Sequence, residues 1–328
     1  MPDTVLITGA TGFVGAAILE RLVAGDRPVR ALTRTDAGAE VLRAAGAQPV
    51  RGDILDPASL DMAMDGCAVV YHVAGANAFC LPDPSPLYTM NVDGTRNVVE
   101  AAGRTGVTRV VHTSSAATIG EPAGVVATET TPHRDEFLSH YERSKWEAEI
   151  VAFETAGRAG VDLVSVNPAS VQGPGRVRGT AKLLIGYLNG TLKALIDSQM
   201  SVVDIADCAE GHLLAEERGV PGERYILSGA MGPVGLAGAL AQQLAEAMAG
   251  LALYQLLKPG APCTMGTFIG AVSMQTGGPA FGTPESMLGS AAAVELARRL
   301  GVPSNNAGGA VTAARIPDAQ AAYESALT

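Results

Sequence analysis

The chain has 328 residues, of which 47 % are hydrophobic, and it carries a net charge of −10 with an isoelectric point near 5.0. This length is enough for one large α/β domain or two smaller ones, each with a sizeable buried core. The acidic balance argues against a nucleic-acid partner and against a membrane surface.

Targeting and metal-binding signals are weak. The first predicted strand begins at Thr4, and no apolar run is long enough to span a bilayer, so we expect a cytoplasmic protein without a signal peptide. The four cysteines are scattered, with neither a CxxC pair nor the spacing of metal ligands: Cys67, Cys80, Cys208 and Cys263. They indicate free thiols in a reducing compartment and no metal site.

A glycine-rich stretch, TGATGFVG at residues 8–15, directly follows a short apolar run that is typical of a buried parallel strand. In this loop Gly9 allows a tight turn, Gly12 lets backbone N–H groups approach an anion, and Gly15 lets the next helix lie close to the strand. The N-terminus of that amphipathic helix favours a diphosphate. A second strand at residues 29–33 completes a βαβ unit, so the sequence predicts a dinucleotide-binding loop rather than a glycine-rich turn without a nucleotide.

Further strands alternate with helical patterns through the first two thirds of the chain. The predicted strands after the first are at residues 29–33, 48–50, 68–73, 109–113, 162–166 and 223–227. This order predicts a doubly wound parallel α/β sheet, or Rossmann fold, that is covered by helices on both faces. Ligands of such sheets bind at the carboxyl ends of the strands, where every motif of interest falls.

Arg34 directly follows the second strand, in the stretch VRALTR. An acidic residue at this position usually binds a free ribose 2′-hydroxyl, whereas an arginine suits a 2′-phosphate. We therefore expect NADP to be preferred over NAD. The alternative is a solvated surface arginine.

Two more strand ends are expected near the cofactor. Asp53 and Ile54 follow the third strand and would hold the adenine edge, although an aspartate in a loop, here Asp53 or Asp56, is more often a helix cap. The fourth strand ends in small residues that leave space for a nucleotide, which a tight turn would explain nearly as well: Ala74, Gly75 and Ala76.

Acid–base chemistry is indicated by Thr113-Ser114-Ser115 at the end of the fifth strand and by the stretch YERSK at residues 141–145. Tyr141 and Lys145 are four residues apart and share one helical face. A tyrosine with a pKa of about 10 is a poor acid or base near neutral pH, but an ammonium and an oxidised nicotinamide beside it would lower that pKa. Ser115 could then hydrogen-bond a substrate oxygen, while Tyr141 gives or takes the proton.

Residues 1–228 resemble the extended short-chain dehydrogenases/reductases, in the branch of dihydroflavonol-reductase-like and hopanoid-associated sugar-epimerase-like proteins. The motifs that carry this resemblance occur in order along the chain: TGATGFVG, VRALTR, GDILDP, VYHVAG, NVDGTRNVVEAA, VVHTSSAATIG, YERSKWEAE, VNPASVQGPG, VVDIADCAEGHLLA and GERYILSG. The resemblance implies an NAD(P)-binding domain at residues 1–229 with part of a substrate lobe at about residues 167–202. Family members often pair through the helices that carry Asn91 and Tyr141, which implies a homodimer.

The same resemblance assigns the site residues. Ser115, Tyr141 and Lys145 would form the catalytic triad, with Asn91 in a supporting role and Lys145 on the nicotinamide ribose. Backbone groups of Phe13 and Val14 would contact the diphosphate. The expected cofactor-binding residues are Gly9, Thr11, Gly12, Phe13, Val14, Gly15, Arg34, Asp53, Ile54, Ala74, Gly75, Ala76, Thr113, Tyr141, Lys145, Pro168, Ala169 and Val171.

The resemblance stops after Ser228, and the last 99 residues contain only nine charged side chains. Stretches such as SMQTGGPAFGTPE, AVELARRLGVP and IPDAQAAYESALT resemble an interior fragment of the trimethylamine methyltransferases, which are (β/α)-barrel proteins. A closed barrel needs eight βα units in about 250 residues, so this segment can supply about three. We expect a grafted or fused C-terminal α/β segment at residues 230–328 that does not carry out corrinoid methyl transfer.

The sequence therefore favours an NAD(P)-dependent oxidoreductase that acts on a small-molecule carbonyl/alcohol pair. Because the segment after Ser228 replaces part of the substrate lobe, we expect cofactor binding to be more robust than turnover. One alternative is a sugar-nucleotide epimerase or dehydratase, which uses the same Ser/Tyr/Lys set. A second is a non-catalytic dinucleotide-binding protein, against which the presence of Tyr141 and Lys145 argues.

Overall fold

The structure is a computed structural model, and the chain divides into two compact units, Met1–Ala230 and Met231–Thr328. The first unit is described at residues 4–78, 81–122, 125–189, 191 and 201–229. The second is described at residues 244, 248, 255, 258, 265–267, 271–272, 279–280, 284–301 and 304–306.

The described part of the first unit contains nine strands. In chain order they are β1 (Thr4–Thr8), β2 (Val29–Thr33), β3 (Gln48–Arg51), β4 (Cys67–His72), β5 (Arg109–Thr113), β6 (Asp162–Pro168), β7 (Ser170–Gln172), β8 (Val202–Asp204) and β9 (Arg224–Leu227). Seven of them form one parallel sheet in the order β3-β2-β1-β4-β5-β6-β9, and β7 pairs with β8 separately. The predicted parallel sheet is confirmed, with strand bounds within two residues of those expected.

Helices cover both faces of this sheet. They are α1 (Phe13–Ala24), α2 (Asp36–Ala44), α3 (Pro57–Met64), α4 (Ser85–Tyr88), α5 (Gly94–Thr105), α6 (His140–Ala159), α7 (Ala181–Leu188) and α8 (Ile205–Arg218). A π-helical turn (Thr89–Asp93) joins α4 to α5, and a 3₁₀ turn (Ala116–Ile119) follows β5. Within the described ranges, we find no helix with the length and apolarity needed to cross a membrane.

The apolar residues of the strands separate into two cores, because successive side chains point to opposite faces of a sheet. On β1, Leu6 belongs to the core that contains α3, α5 and α6, whereas Val5 and Ile7 belong to the core that contains α1 and α8. All three side chains are fully buried. The near-continuous apolar runs of the sequence are thus explained by burial on both faces.

Helix α1 lies in close contact with the end of β1. A Cβ atom added at Gly15 would lie 2.2 Å from the carbonyl oxygen of Gly9, and Gly9 itself has a φ of +71°. The helix therefore begins immediately beyond the strand, as the glycine spacing predicts.

The second unit contains α9 (Pro284–Arg299), which lies in the chain between two strands that pair in parallel, β10 (Met265–Thr267) and β13 (Ser304–Asn306). A short antiparallel pair is formed by β11 (Ala271–Val272) and β12 (Pro279–Ala280). A parallel pair joined through a helix is the repeating unit of a (β/α) barrel. One such pair is seen among the described residues, which does not confirm a barrel-derived origin.

Two helical glycines allow the contact between α1 and β1 to be tested. Gly15→Ala should lower the free energy of unfolding of the first unit by about 1–3 kcal/mol, because the added methyl group would overlap the Gly9 carbonyl. Gly157→Ala on α6 should raise it by about 0.5–1 kcal/mol, since that glycine is exposed with nothing near its Cβ position. Urea unfolding followed by the fluorescence of Trp146, the single tryptophan, measures both. Equal effects of the two substitutions would contradict the close contact.

Candidate active site

The carboxyl ends of the parallel strands open into one cleft of about 1780 Å³. Its walls come from the loop after β1, the ends of β2 to β6, and the start of α6. Of the residues that the sequence predicts for the site, Asn91 alone lies outside the lining. The others line the cleft together: Gly9, Thr11, Gly12, Phe13, Val14, Gly15, Arg34, Asp53, Ile54, Ala74, Gly75, Ala76, Thr113, Ser115, Tyr141, Lys145, Pro168, Ala169 and Val171.

The loop after β1 has the shape of an anion-binding site. The Gly12 N–H donates to the Gly9 carbonyl oxygen at 2.9 Å, and Gly12 caps α1 without any side-chain hydrogen bond to the helix. The first N–H groups of α1 thus donate to no capping side chain. They form the positive end of the helix dipole. A Cβ at Gly9 would lie 2.6 Å from the Ala74 nitrogen, so a side chain there would obstruct the turn. These residues fit the diphosphate of a dinucleotide.

The side chain that follows β2 is cationic and accessible. Arg34 is 62 % exposed, and its Nη1 lies 3.7 Å from Oδ2 of Asp53. The nearby carboxylate of Asp36 is fully exposed and is paired with Arg51 at 2.8 Å, and Asp36 does not line the cleft. An exposed guanidinium with one distant partner can turn toward a phosphate at low cost.

The two aspartates after β3 have different local roles. Oδ1 of Asp56 accepts a hydrogen bond from the Ala58 N–H at 3.2 Å, so Asp56 is the N-cap of α3. Asp53 instead accepts from the Leu55 N–H at 3.0 Å and lines the cleft. The helix-cap alternative therefore applies to Asp56.

A capping arrangement fixes the start of α6. Ser139 accepts a hydrogen bond from the Glu142 N–H at 3.1 Å, and the buried Glu142 carboxylate accepts the Leu138 N–H at 2.8 Å and pairs with Arg134. A side-chain cap of this kind defines the first turn of a helix. Tyr141 lies in that turn, so its position at the cleft is set by the cap.

Tyr141 and Ser115 both line the cleft at the end of β5, where the Ser115 hydroxyl is close enough to lower the pKa of the phenol. Burial raises the pKa of Tyr141, and the Ser115 hydroxyl and the positive charge of Arg176 offset this in part. Lys145 is not among the groups that lower this pKa. The sequence-based expectation of a lowered tyrosine pKa is thus not met by the protein's own groups, because desolvation of the phenolate is the larger effect.

Lys145 is buried one helical turn beyond Tyr141. Its Nζ donates to the carbonyl oxygen of Thr113 at 2.8 Å, and burial lowers its pKa to about 8, with the nearby Glu149 acting in the opposite direction. The lysine is therefore held at the end of β5 by a backbone group and can change protonation near physiological pH.

Asn91 is 1 % exposed and lies in the π-helical turn before α5. Its Nδ2 donates to Oγ of Ser144 at 2.9 Å and to the Ala76 carbonyl at 3.1 Å, while its Oδ1 accepts the Ala76 N–H at 2.7 Å. Asn91 thus connects the wall of the cleft at Ala76 to α6.

Sequence reasoning missed two buried histidines and one arginine of this region. His72 contacts Thr8 and Thr95 at 2.9 and 3.0 Å, and its ring centroid lies 5.5 Å from that of His112. Burial and the charge of Lys145 lower the pKa of both rings, so both are neutral at pH 7. Arg176 lines the cleft, and its position directly after the motif VNPASVQGPG was the available signal.

The lining also includes apolar side chains from beyond the ends of β5 and from β9, namely Ile119, Val125, Val126 and Ile226. Val126 is 91 % exposed at the opening. Across the ranges that the structure describes, no three His, Cys, Asp or Glu side chains are grouped as metal ligands would be.

Two family models match the chain. The model of GDP-mannose 4,6 dehydratase matches residues 6–192, and that of trimethylamine methyltransferase matches residues 109–328. The second match starts well before residue 230, where the sequence analysis placed its beginning. The two matches overlap from β5 through α7, a stretch of alternating strands and helices, and a (β/α) barrel has the same alternation.

Individual relatives agree with the first match. A protein of Synechocystis sp. that is named as a dihydroflavonol 4-reductase is 36 % identical over 235 residues, which cover 69 % of this chain and 68 % of that protein. The rice (Oryza sativa subsp. japonica) cinnamoyl-CoA reductase 1 is 34 % identical over 243 residues, covering 69 % and 71 %. The solved structure of dTDP-glucose 4,6-dehydratase from Streptomyces venezuelae, with NAD bound, is 26 % identical with a TM-score of 0.61, covering 68 % and 74 %.

The glycine loop, the parallel sheet and these matches lead to one assignment. The chain belongs to the extended short-chain dehydrogenases/reductases, as an NAD(P)-dependent oxidoreductase in the family that the GDP-mannose 4,6 dehydratase model describes, and through residues 109–328 it also belongs to the trimethylamine methyltransferase family.

Proposed function

We propose that the chain transfers a hydride between NADP and a carbonyl/alcohol substrate through a triad of Ser115, Tyr141 and Lys145. The observation that carries this proposal is that Ser115 and Tyr141 line one cleft, with the Ser115 hydroxyl close enough to lower the pKa of the phenol, and that the uncapped N-terminus of α1 lies in the same cleft. One end of the cleft suits a diphosphate, and the other presents a proton donor to a substrate oxygen.

Each member of the triad has a separate role. The nicotinamide, when bound, supplies or accepts the hydride. Ser115 hydrogen-bonds the substrate oxygen, and Tyr141 donates its phenol proton to that oxygen as negative charge develops there. Lys145 holds its ammonium group beside the end of β5, where it would bind the nicotinamide ribose of the cofactor.

Asn91 supports this arrangement without touching the reacting atoms. Its hydrogen bonds to Ala76 and Ser144 hold the wall of the cleft against α6, three residues from Tyr141. The remaining lining residues of the glycine loop and of the ends of β2 to β6 bind the cofactor. The apolar residues at the opening suit a substrate with an apolar body.

The preference for NADP over NAD rests on Arg34. Its exposed guanidinium follows β2, where the 2′-position of the adenosine ribose is expected, and the nearby carboxylate of Asp36 is paired with Arg51.

Residues 1–229 carry all of the proposed site, and residues 230–328 are proposed to be a grafted segment without methyl-transfer chemistry. Because that segment replaces part of the substrate lobe, cofactor binding is proposed to be more robust than turnover. A sugar-nucleotide dehydratase or epimerase is the second candidate, which the dehydratase family match favours. It would regenerate its cofactor in every cycle, whereas a reductase consumes NADPH.

Removing the phenol of Tyr141 tests the triad. Tyr141→Phe should lower kcat by about 10²–10⁴-fold on any carbonyl that the wild-type chain reduces, because general acid catalysis is lost. NADPH binding, followed by cofactor fluorescence, should change little. Tyr225→Phe, which removes a hydroxyl that accepts the Val220 N–H outside the cleft, is the control. Unchanged turnover in Tyr141→Phe would contradict the role of the triad, whereas a wild-type chain that binds NADPH but reduces no carbonyl would favour a non-catalytic dinucleotide-binding protein.

The ionisation of Lys145 should appear in the pH dependence of ketone reduction. Since the pKa of Tyr141 is raised and that of Lys145 is about 8, Lys145 loses its proton first as the pH rises. We expect kcat/KM to fall above pH 8 in the wild type. In Lys145→Arg the fall should move to higher pH, because a guanidinium remains charged. If kcat/KM still falls above pH 8 in Lys145→Arg, the titration of Lys145 is not the cause of that fall.

Arg34→Ser tests the cofactor preference. The affinity for NADPH should fall by about 10- to 100-fold with the loss of charged hydrogen bonds to the 2′-phosphate, while the affinity for NADH stays nearly constant. Titration of both cofactors by fluorescence measures the ratio. Arg43→Ser on α2 serves as a control, since Arg43 does not line the cleft. Equal losses for NADPH and NADH would contradict recognition of a 2′-phosphate.

A further inference from the structure

Arg176 differs from the other charged residues that line the cleft. Arg34 and Asp53 pair with each other, Lys145 donates to a backbone carbonyl, and Glu121 is exposed. Arg176 is partly buried, and no ion pair or hydrogen bond of its side chain is found among the described residues. Its Nε is fully buried without a hydrogen-bond partner.

One contact and one electrostatic effect indicate where this guanidinium lies. Its central carbon is 4.9 Å from the centroid of the Phe13 ring, and Phe13 is the first residue of α1. Its charge also acts on the phenol of Tyr141. Arg176 therefore lies between the anion-binding end of the cleft and the reacting end.

Stacking on an aromatic ring leaves the N–H groups of a guanidinium available at its edge. That edge is a planar fork of donors, which matches the paired oxygens of a phosphate or a carboxylate. A partly buried arginine normally has an anionic partner, because the desolvated charge is otherwise costly. The cleft thus contains a partly buried cationic group that has no anionic partner among the described residues.

We propose that Arg176 forms an oxyanion-binding subsite, which takes a phosphate or carboxylate oxygen of a molecule bound in the cleft. The inference rests on the proposed function, since both sources of such an oxygen are reactants. One source is the diphosphate of the cofactor, which binds at the N-terminus of α1 beside Phe13. The other is an anionic group on the substrate, close to the carbonyl that faces Tyr141.

The experiment compares the wild-type full chain with Arg176→Gln, Arg176→Lys and a control, Arg178→Gln. Arg178 lies two residues away, is exposed and does not line the cleft. Thermal unfolding of each variant shows that the comparison is between folded proteins.

The binding arm titrates NADPH, 2′-phospho-ADP-ribose and 2′,5′-ADP. If Arg176 contacts the diphosphate, Arg176→Gln should weaken the first two by about 10- to 100-fold and leave 2′,5′-ADP, which has no diphosphate, nearly unchanged. Arg176→Lys should recover only part of the loss, because a point charge replaces a planar fork.

The turnover arm compares a 3-oxocarboxylate with its ethyl ester. If Arg176 contacts the substrate, Arg176→Gln should raise KM for the acid by about 10- to 100-fold and change KM for the ester little. The affinities measured in the binding arm should then also change little. Either pattern supports the subsite and identifies its source.

The inference is overturned if the wild type binds NADPH while Arg176→Gln matches Arg178→Gln in both arms. A wild-type chain that neither binds NADPH nor reduces any carbonyl would instead overturn the proposed function, and the subsite with it. The binding arm needs no turnover, so a chain that binds the cofactor but turns over slowly still tests the diphosphate contact.

Discussion

The close contact between α1 and the end of β1 is the constraint on which the rest of the site depends. Gly15 lies against the Gly9 carbonyl with no room for a side chain, so the helix starts directly at the carboxyl edge of the sheet. The first residues of the helix line the cleft, and a parallel sheet brings the other strand ends to the same edge. A helix set back by the width of one methyl group would move the positive end away from the position of a diphosphate.

The end of the cleft that contains Tyr141 and Ser115 is held by different interactions. The cap at Ser139 and the buried Glu142 determine where α6 begins, and the bond from Lys145 to the Thr113 carbonyl joins that helix to β5. Asn91 adds a connection to the wall at Ala76. These bonds are made in a buried environment, where an unpaired polar group is costly, so the positions of Tyr141 and Ser115 are well defined. The same burial raises the pKa of Tyr141, and a positive nicotinamide is the further charge that would oppose it.

The second unit adds a different kind of sequence to this scaffold. It has few charged side chains, and its described parallel pair, β10 with β13, is joined through α9. The two family matches overlap at residues 109–192, where strands alternate with helices along the chain. Alternation of this kind reports local structure, and it does not distinguish an open sheet from a closed barrel.

The sequence by itself determined the strands, the glycine loop and the pairing of Tyr141 with Lys145 on one helical face, because these depend on local periodicity and spacing. It did not determine how the pKa of Tyr141 responds to burial, or that Asn91 would lie behind the wall of the cleft, because both depend on groups far apart in the chain. Only the tertiary structure brought Arg176 over the ring of Phe13, 163 positions earlier in the numbering. Contacts of this kind have no periodic signal, since they arise where separate loops meet at the edge of the sheet.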